Sequence, residues 1–182
     1  MKQSTLAALL CMLACLLVMS LPVDAAARAH RAAAGPEARW FVNNAEGYQM
    51  LVPAGLDWKQ EKSKRTVAFM PSEFVEAAGI VVLTREQMQE PLNVLLAGVV
   101  AVRREMGWTL QARHDDKRFA GREATCLIWE HNPLAEEDAI VTVDWIFKDG
   151  DRVFEVMMYA RRSRLKAWNE TFKFIDQNFE IL

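Results

Sequence analysis

Apolar residues follow two different spacings along the chain. One spacing predicts a series of strands, and the other predicts helices at two places. From Trp40 onward, short apolar runs and period-two alternation, bounded by Gly, Pro and Asn turns, are typical of strands. The predicted strands cover residues 40–42, 48–52, 66–70, 79–84, 108–113, 123–131, 139–147 and 152–160. Between the last two, Asp149-Gly150 offers the positive φ angles of a tight hairpin.

Two segments instead repeat apolar residues every three and four positions, which is the period of an amphipathic helix. Pro91 begins the first, Gly107 ends it, and its stripe is Leu92, Leu95, Leu96, Val99, Val102 and Met106. The second is predicted to begin near Ser163 as an N-cap, with a stripe of Leu165, Trp168, Phe172, Ile175 and Phe179.

The strands at 126–129 and 140–147 are apolar on both faces, so both faces of their sheet need cover. We therefore predict an α+β domain, an α/β/α sandwich whose central, mainly antiparallel sheet is covered by helices on both faces.

The N-terminus has the pattern of a secretory signal peptide. Lys2 precedes an apolar run over residues 6–19, Pro22 breaks that run, and Val23 and Ala25 suit cleavage after Ala25. The prediction is a signal peptide at 1–25, a disordered lead-in at 26–38, and a single domain at 39–182 in the periplasm or outside the cell. The run is too short for the roughly 20 residues of a stable membrane span. Lipid anchoring at Cys15 is the remaining alternative, which the apolar residues after Cys15 disfavour.

The net charge and the number of cysteines argue against a nucleic-acid partner and against an internal disulfide. The formal net charge is −2, so no nucleic-acid partner is expected. Once the signal peptide is removed, Cys126 is the one cysteine left, which rules out an internal disulfide. Because it lies in the apolar run 124–129, we expect it to be buried. We expect the mature protein to be a monomer.

Candidate catalytic and metal-binding residues are few. Neither Ser63, Ser72 nor Ser163 lies in a hydrolase motif. Cys126 and His131 are an odd number of residues apart, which places them on opposite faces of one strand. The segments His114-Asp115-Asp116 and Glu130-His131 carry metal-ligating side chains, but without the spacing of a known metal site. Isolated glycines rule out a phosphate-binding loop, so we predict no catalytic residue, metal or cofactor.

One surface candidate is aromatic and basic. Lys59, Lys62, Lys64 and Arg65 form a short basic cluster beside Trp58. We predict that these five residues bind a partner, either an envelope protein or a small ligand whose identity no motif encodes.

Two short segments carry a resemblance to a known family. The first is 47–55, Gly-Tyr-Gln-Met-Leu-Val-Pro-Ala-Gly, with Trp58 just after it. The second is 120–124, Ala-Gly-Arg-Glu-Ala. Both resemble the PsbP-like family, which includes the extrinsic photosystem II subunit, bacterial envelope relatives and a Ran-binding import protein. The order of elements agrees over 41–182. The resemblance implies an α/β/α sandwich and a binding or assembly role, so we expect an exported, non-catalytic binding protein of the cell envelope. One alternative is an envelope hydrolase or metal-dependent enzyme with an unrecognised site built from His114, Asp115, Asp116, Glu130 or His131. The other is a purely structural subunit of a larger complex.

Overall fold

Ten strands, two α-helices and one 3₁₀ turn make up the part of the chain that the structure, a computed structural model, describes. That part is residues 38–60, 65–71, 78–85, 90–132 and 139–182. In chain order the elements are β1 (Arg39–Asn43), β2 (Tyr48–Val52), β3 (Leu56–Gln60), β4 (Thr66–Pro71), β5 (Gly79–Arg85), α1 (Leu92–Glu105), β6 (Thr109–Phe119), β7 (Arg122–His131), β8 (Ile140–Asp149), β9 (Arg152–Arg161), the 3₁₀ turn (Arg162–Arg164), α2 (Leu165–Gln177) and β10 (Phe179–Ile181). No helix in these ranges is long and apolar enough to cross a bilayer.

The strands form two antiparallel sheets. A large sheet of seven strands has the order β3-β4-β5-β9-β8-β7-β6, and a small sheet has the order β1-β2-β10. Strands account for 58% of the described residues. The predicted sandwich with helices on both faces is therefore wrong, because β1 and β2 do not belong to the central sheet. They form a second sheet with β10.

The small sheet and α2 pack together on one face of the large sheet. Their shared core contains Tyr48 and Met50 of β2, Phe172 and Ile175 of α2, and Phe154 of β9. Tyr48 stacks on Phe179 with ring centroids 5.3 Å apart, and Phe147 stacks on Phe154 at 5.2 Å. A small sheet thus supplies much of the cover that the sequence pattern assigned to a helix.

Helix α1 covers the other face of the large sheet. Leu95, Leu96 and Val99 pack against strand residues that include Trp129 and Met157. The predicted stripe is wrong at one position: Val102 is 39% exposed, and Arg103 takes the buried place beside it.

The local predictions fare unevenly. The β8–β9 hairpin is confirmed, with Asp149 paired to Arg152, but of the two loop residues Gly150 alone has a positive φ, +60°, as a type II′ turn requires. Ser163 is not an N-cap: it lies in the 3₁₀ turn, and α2 begins at Leu165 without a side-chain cap. Phe179 belongs to β10 instead of the helix.

Candidate functional site

The first strands of the two sheets meet at one corner of the molecule. The Arg39 guanidinium donates to Asp57 Oδ1 at 2.8 Å and to the Leu56 carbonyl at 3.2 Å. Its central carbon lies 4.4 Å from the centroid of the Trp58 ring. Arg39 of β1 therefore ties the small sheet to β3, the edge strand of the large sheet.

The structure describes three of the five predicted partner-binding residues, two on β3 and one just before β4. Trp58 is half-buried, with its ring edge-on to Phe41 at 5.4 Å. Lys59 is exposed on β3, and Arg65 is exposed just before β4. The Arg65 carbonyl accepts a hydrogen bond from the Thr84 amide at 2.9 Å, which fixes the backbone there. Lys62 and Lys64 lie outside the described residues.

An apolar surface that was not predicted from the sequence lies next to this corner. On β1, Trp40 is 48% exposed and Val42 46% exposed, whereas Phe41 and Asn43 between and after them are buried. Leu51 of β2 is partly exposed opposite Trp40, and Leu182 after β10 is 59% exposed. We call Trp40, Val42, Leu51 and Leu182 the small-sheet face. Across its middle, Gln49 donates to the Glu180 carboxylate.

The signal for this face was present but ambiguous. Trp40 and Val42 alternate with Phe41, so one side of β1 had to point away from the core. A strand with apolar residues on both sides does not reveal which side is covered, because that depends on the sheet the strand joins.

The predicted metal-ligating run on β6 is divided by an irregularity in the strand. The register with β7 shifts between His114 and Lys117, so His114 and Asp116 do not share a face by simple alternation. Asp115 is held by Arg113 Nε at 2.9 Å and by Thr125 Oγ1 at 3.1 Å. The hydrogen bond from Arg113 is the main cause of the lowered pKa of Asp115. Within the described ranges, no three His, Cys, Asp or Glu side chains lie close enough to hold a metal ion.

Glu130 and His131 make structural contacts. The Glu130 carboxylate accepts from Arg162 and, at 3.0 Å, from Gln111. The His131 ring stacks on Trp108 with centroids 4.9 Å apart, and its Nδ1 lies 3.2 Å from the Gly107 carbonyl. These contacts hold the end of β7 in place. Glu130 and His131 contact different neighbours.

Cys126 is buried, as predicted. Burial raises the pKa of its thiol to about 11, and the nearby Asp144 carboxylate acts in the same direction. The register of β7 on β8 is continuous from Thr125 to His131, so Cys126 and His131 lie on opposite faces, as predicted. Such a thiol is protonated at neutral pH and is a poor nucleophile. Among the serine candidates, Ser63 and Ser72 lie outside the described residues and Ser163 lies in the 3₁₀ turn.

Comparison with known proteins finds similarity in structure alone. No family model and no curated protein matches the sequence. Among solved structures, cyanobacterial PsbP (CyanoP) from Synechocystis sp. PCC 6803 superposes with a TM-score of 0.58 at 12% identity, over 81% of this chain and 95% of that one. The chain has a PsbP-like fold.

Two further structures share this PsbP-like fold. The Saccharomyces cerevisiae Ran-binding protein Mog1p has a TM-score of 0.53 at 9% identity, over 79% of this chain and 95% of its own. A Bacteroides thetaiotaomicron protein has a TM-score of 0.52 at 11% identity, over 80% of this chain, which spans about half (48%) of that protein's length. At these identities the likeness shows the fold alone.

Proposed function

We propose that this chain is an exported, non-catalytic binding or assembly protein of the cell envelope that recognises a protein partner. The observation that carries the proposal is the small-sheet face. Of the five large apolar side chains exposed in the described residues, Trp40, Val42 and Leu182 lie on this one surface. Apolar side chains exposed on one face of a sheet favour a surface that another molecule covers.

The composition of the surface favours a macromolecular partner. Small-molecule sites are concave, whereas the small-sheet face is one side of a three-stranded sheet. Tryptophan and arginine dominate the binding energy of protein interfaces, and charged residues lie around their rims. Trp40 supplies the aromatic anchor here. Arg39 is the basic residue beside this face. We retain Trp58, Lys59, Lys62, Lys64 and Arg65 as proposed partner-binding residues, of which Lys62 and Lys64 lie outside the described residues.

The structural relatives are consistent with a binding role. Mog1p is a Ran-binding protein, and CyanoP belongs to the PsbP group. The candidate catalytic groups also favour a binding role over catalysis. Each of them is engaged within the fold: Asp115, Glu130 and His131 through side-chain contacts, and Cys126 through burial.

Photo-crosslinking in intact cells tests the binding role. A benzophenone amino acid replaces Val42 in one strain and Val102, exposed on α1 on the opposite side of the large sheet, in a second. We expect a discrete adduct of higher mass from position 42 and none from position 102. Adducts of equal yield at both positions, or no adduct at position 42, would refute the assignment of this face.

Export is a separate part of the proposal, supported by the N-terminal pattern. N-terminal sequencing of protein recovered from the periplasm or the medium should begin at Ala26 or within a few residues of it. A diacylated Cys15 in the mass spectrum would instead establish a lipid-anchored protein.

A further inference from the structure

A buried ion pair joins α1 to the large sheet. Arg103 of α1 donates from Nη2 to Asp144 Oδ2 of β8 at 3.1 Å. The Asp144 side chain has no exposed surface and that of Arg103 has 9%. The same Arg103 nitrogen lies 2.7 Å from Met157 Sδ, and the guanidinium lies 5.0 Å from the Trp108 ring centroid.

Groups from every surrounding element bear on this pair. Glu155 of β9 is buried near Asp144 and is paired with Arg85 of β5 at 3.2 Å. From β7, the Trp129 indole N–H favours the charged form of the Asp144 carboxylate. The charge of that carboxylate in turn raises the pKa of the Cys126 thiol. His131 of β7 stacks on Trp108, the ring that also lies beside the Arg103 guanidinium.

The carboxyl group of Asp144 holds its proton unusually tightly. Burial is the largest cause, Glu155 adds to it, Arg103 opposes it, and the pKa of Asp144 rises to about 7. One arginine does not fully compensate for removing the charge from water. When the C-terminal half of α1 lifts and water reaches the carboxyl group, the pKa returns toward about 3.9.

We propose that Arg103, Asp144 and Glu155 form a pH-sensitive latch, which holds the C-terminal half of α1 on the sheet more tightly in acid than at neutral pH. The latched state binds the proton more strongly than the open state, so lowering the pH favours the latched state. The opening equilibrium increases as the pH rises from about 4 to about 7 and levels off above that. Opening would uncover apolar sheet residues, Trp129 and Met157 among them, that α1 covers.

Amide hydrogen exchange measures the latch directly. Exchange of the amides at 99–103 is followed at about pH 5 and about pH 8 and corrected for intrinsic exchange rates. In the wild-type protein the opening constant should increase by up to about tenfold per pH unit within the titration window. In Asp144→Asn, which removes the titrating group, it should not change with pH.

Three control variants separate the latch from other causes. Asp116→Asn removes an exposed carboxylate on β6 and should keep the wild-type pH dependence. His131→Gln should also keep it, since His131 contacts Trp108 and not the ion pair. Glu155→Gln removes the like charge and should move the transition to lower pH, which provides a second test if Asp144→Asn does not fold. A wild-type opening constant that does not vary with pH, or the same slope in Asp144→Asn and Asp116→Asn, would overturn the proposal.

Discussion

Two glycines in regular elements have opposite surroundings, although neither has a positive φ angle. At Gly79 in β5, an added Cβ would lie 2.7 Å from the Phe69 carbonyl oxygen and 2.8 Å from the Tyr159 hydroxyl oxygen. At Gly98 in α1, it would meet nothing within 4 Å. The absence of a side chain therefore has a packing reason at Gly79 and no such reason at Gly98.

This contrast predicts opposite changes in stability. Gly79→Ala forces a methyl group against strand backbone and should lower the free energy of unfolding by about 1–3 kcal/mol. Gly98→Ala should raise it by about 0.5–1 kcal/mol, because glycine is entropically costly inside a helix. Urea denaturation of both variants measures the two effects, and loss of stability in Gly98→Ala would show that the described surroundings of α1 are wrong.

Asp115, Glu130 and His131, which the enzyme alternative invoked, make contacts within the fold. The sequence predicted a strand that ends at residue 113, whereas the run 114–116 lies within β6, and sequence alone did not give the partners of the candidate residues. Arg162, for example, reaches Glu130 from the turn before α2, 32 positions along the chain. Such long-range contacts depend on how the elements pack, which no local motif encodes.

At the scale of elements, the C-terminal helix α2 contributes large buried aromatic side chains to the core. Trp168 and Phe172 are 6% and 8% exposed, and both belong to the core shared by α2 and the sheets. Trp168→Ala or Phe172→Ala should each cost roughly 3–5 kcal/mol of stability, because each leaves a large cavity.

Lys166→Ala, an exposed change on the same helix, serves as the control and should alter stability by no more than about 0.5 kcal/mol. Thermal melts compare the three variants. If the two core variants melt within a degree or two of wild type, α2 does not cover the sheet.

The elements themselves were largely predictable, since eight of the strands and both helices follow from the spacing of apolar residues. Their assignment to sheets was not, because period two identifies a face of a strand and says nothing about which sheet the strand joins. β1 and β2 were therefore placed in one central sheet. β10 was read as helix because Phe179 continues the three-and-four spacing of Trp168, Phe172 and Ile175. Arg103 was overlooked because an arginine in a helix is usually exposed.

For the whole molecule, the two faces of the large sheet have different cover. α1 lies on one face with a buried ion pair beneath it, and the small sheet and α2 pack on the other. The exposed Lys59 on β3 and Arg65 just before β4 could be anticipated from sequence as part of a short charge run. The small-sheet face could not, because it exists only once β1 lies at the edge of a separate sheet.

The central claim, a binding role through the small-sheet face instead of catalysis, is tested most directly by comparing two double variants for recovery of the crosslinked partner. The first, Trp40→Ala with Leu51→Ser, removes the apolar face. The second, His114→Ala with His131→Ala, removes both histidines of the enzyme alternative. In variants that circular dichroism shows to be folded, we expect the adduct formed at position 42 to be lost in the first variant and retained in the second. If the adduct is retained in the first variant and the second variant loses biological activity, a binding role through the small-sheet face is contradicted and the enzyme alternative is favoured.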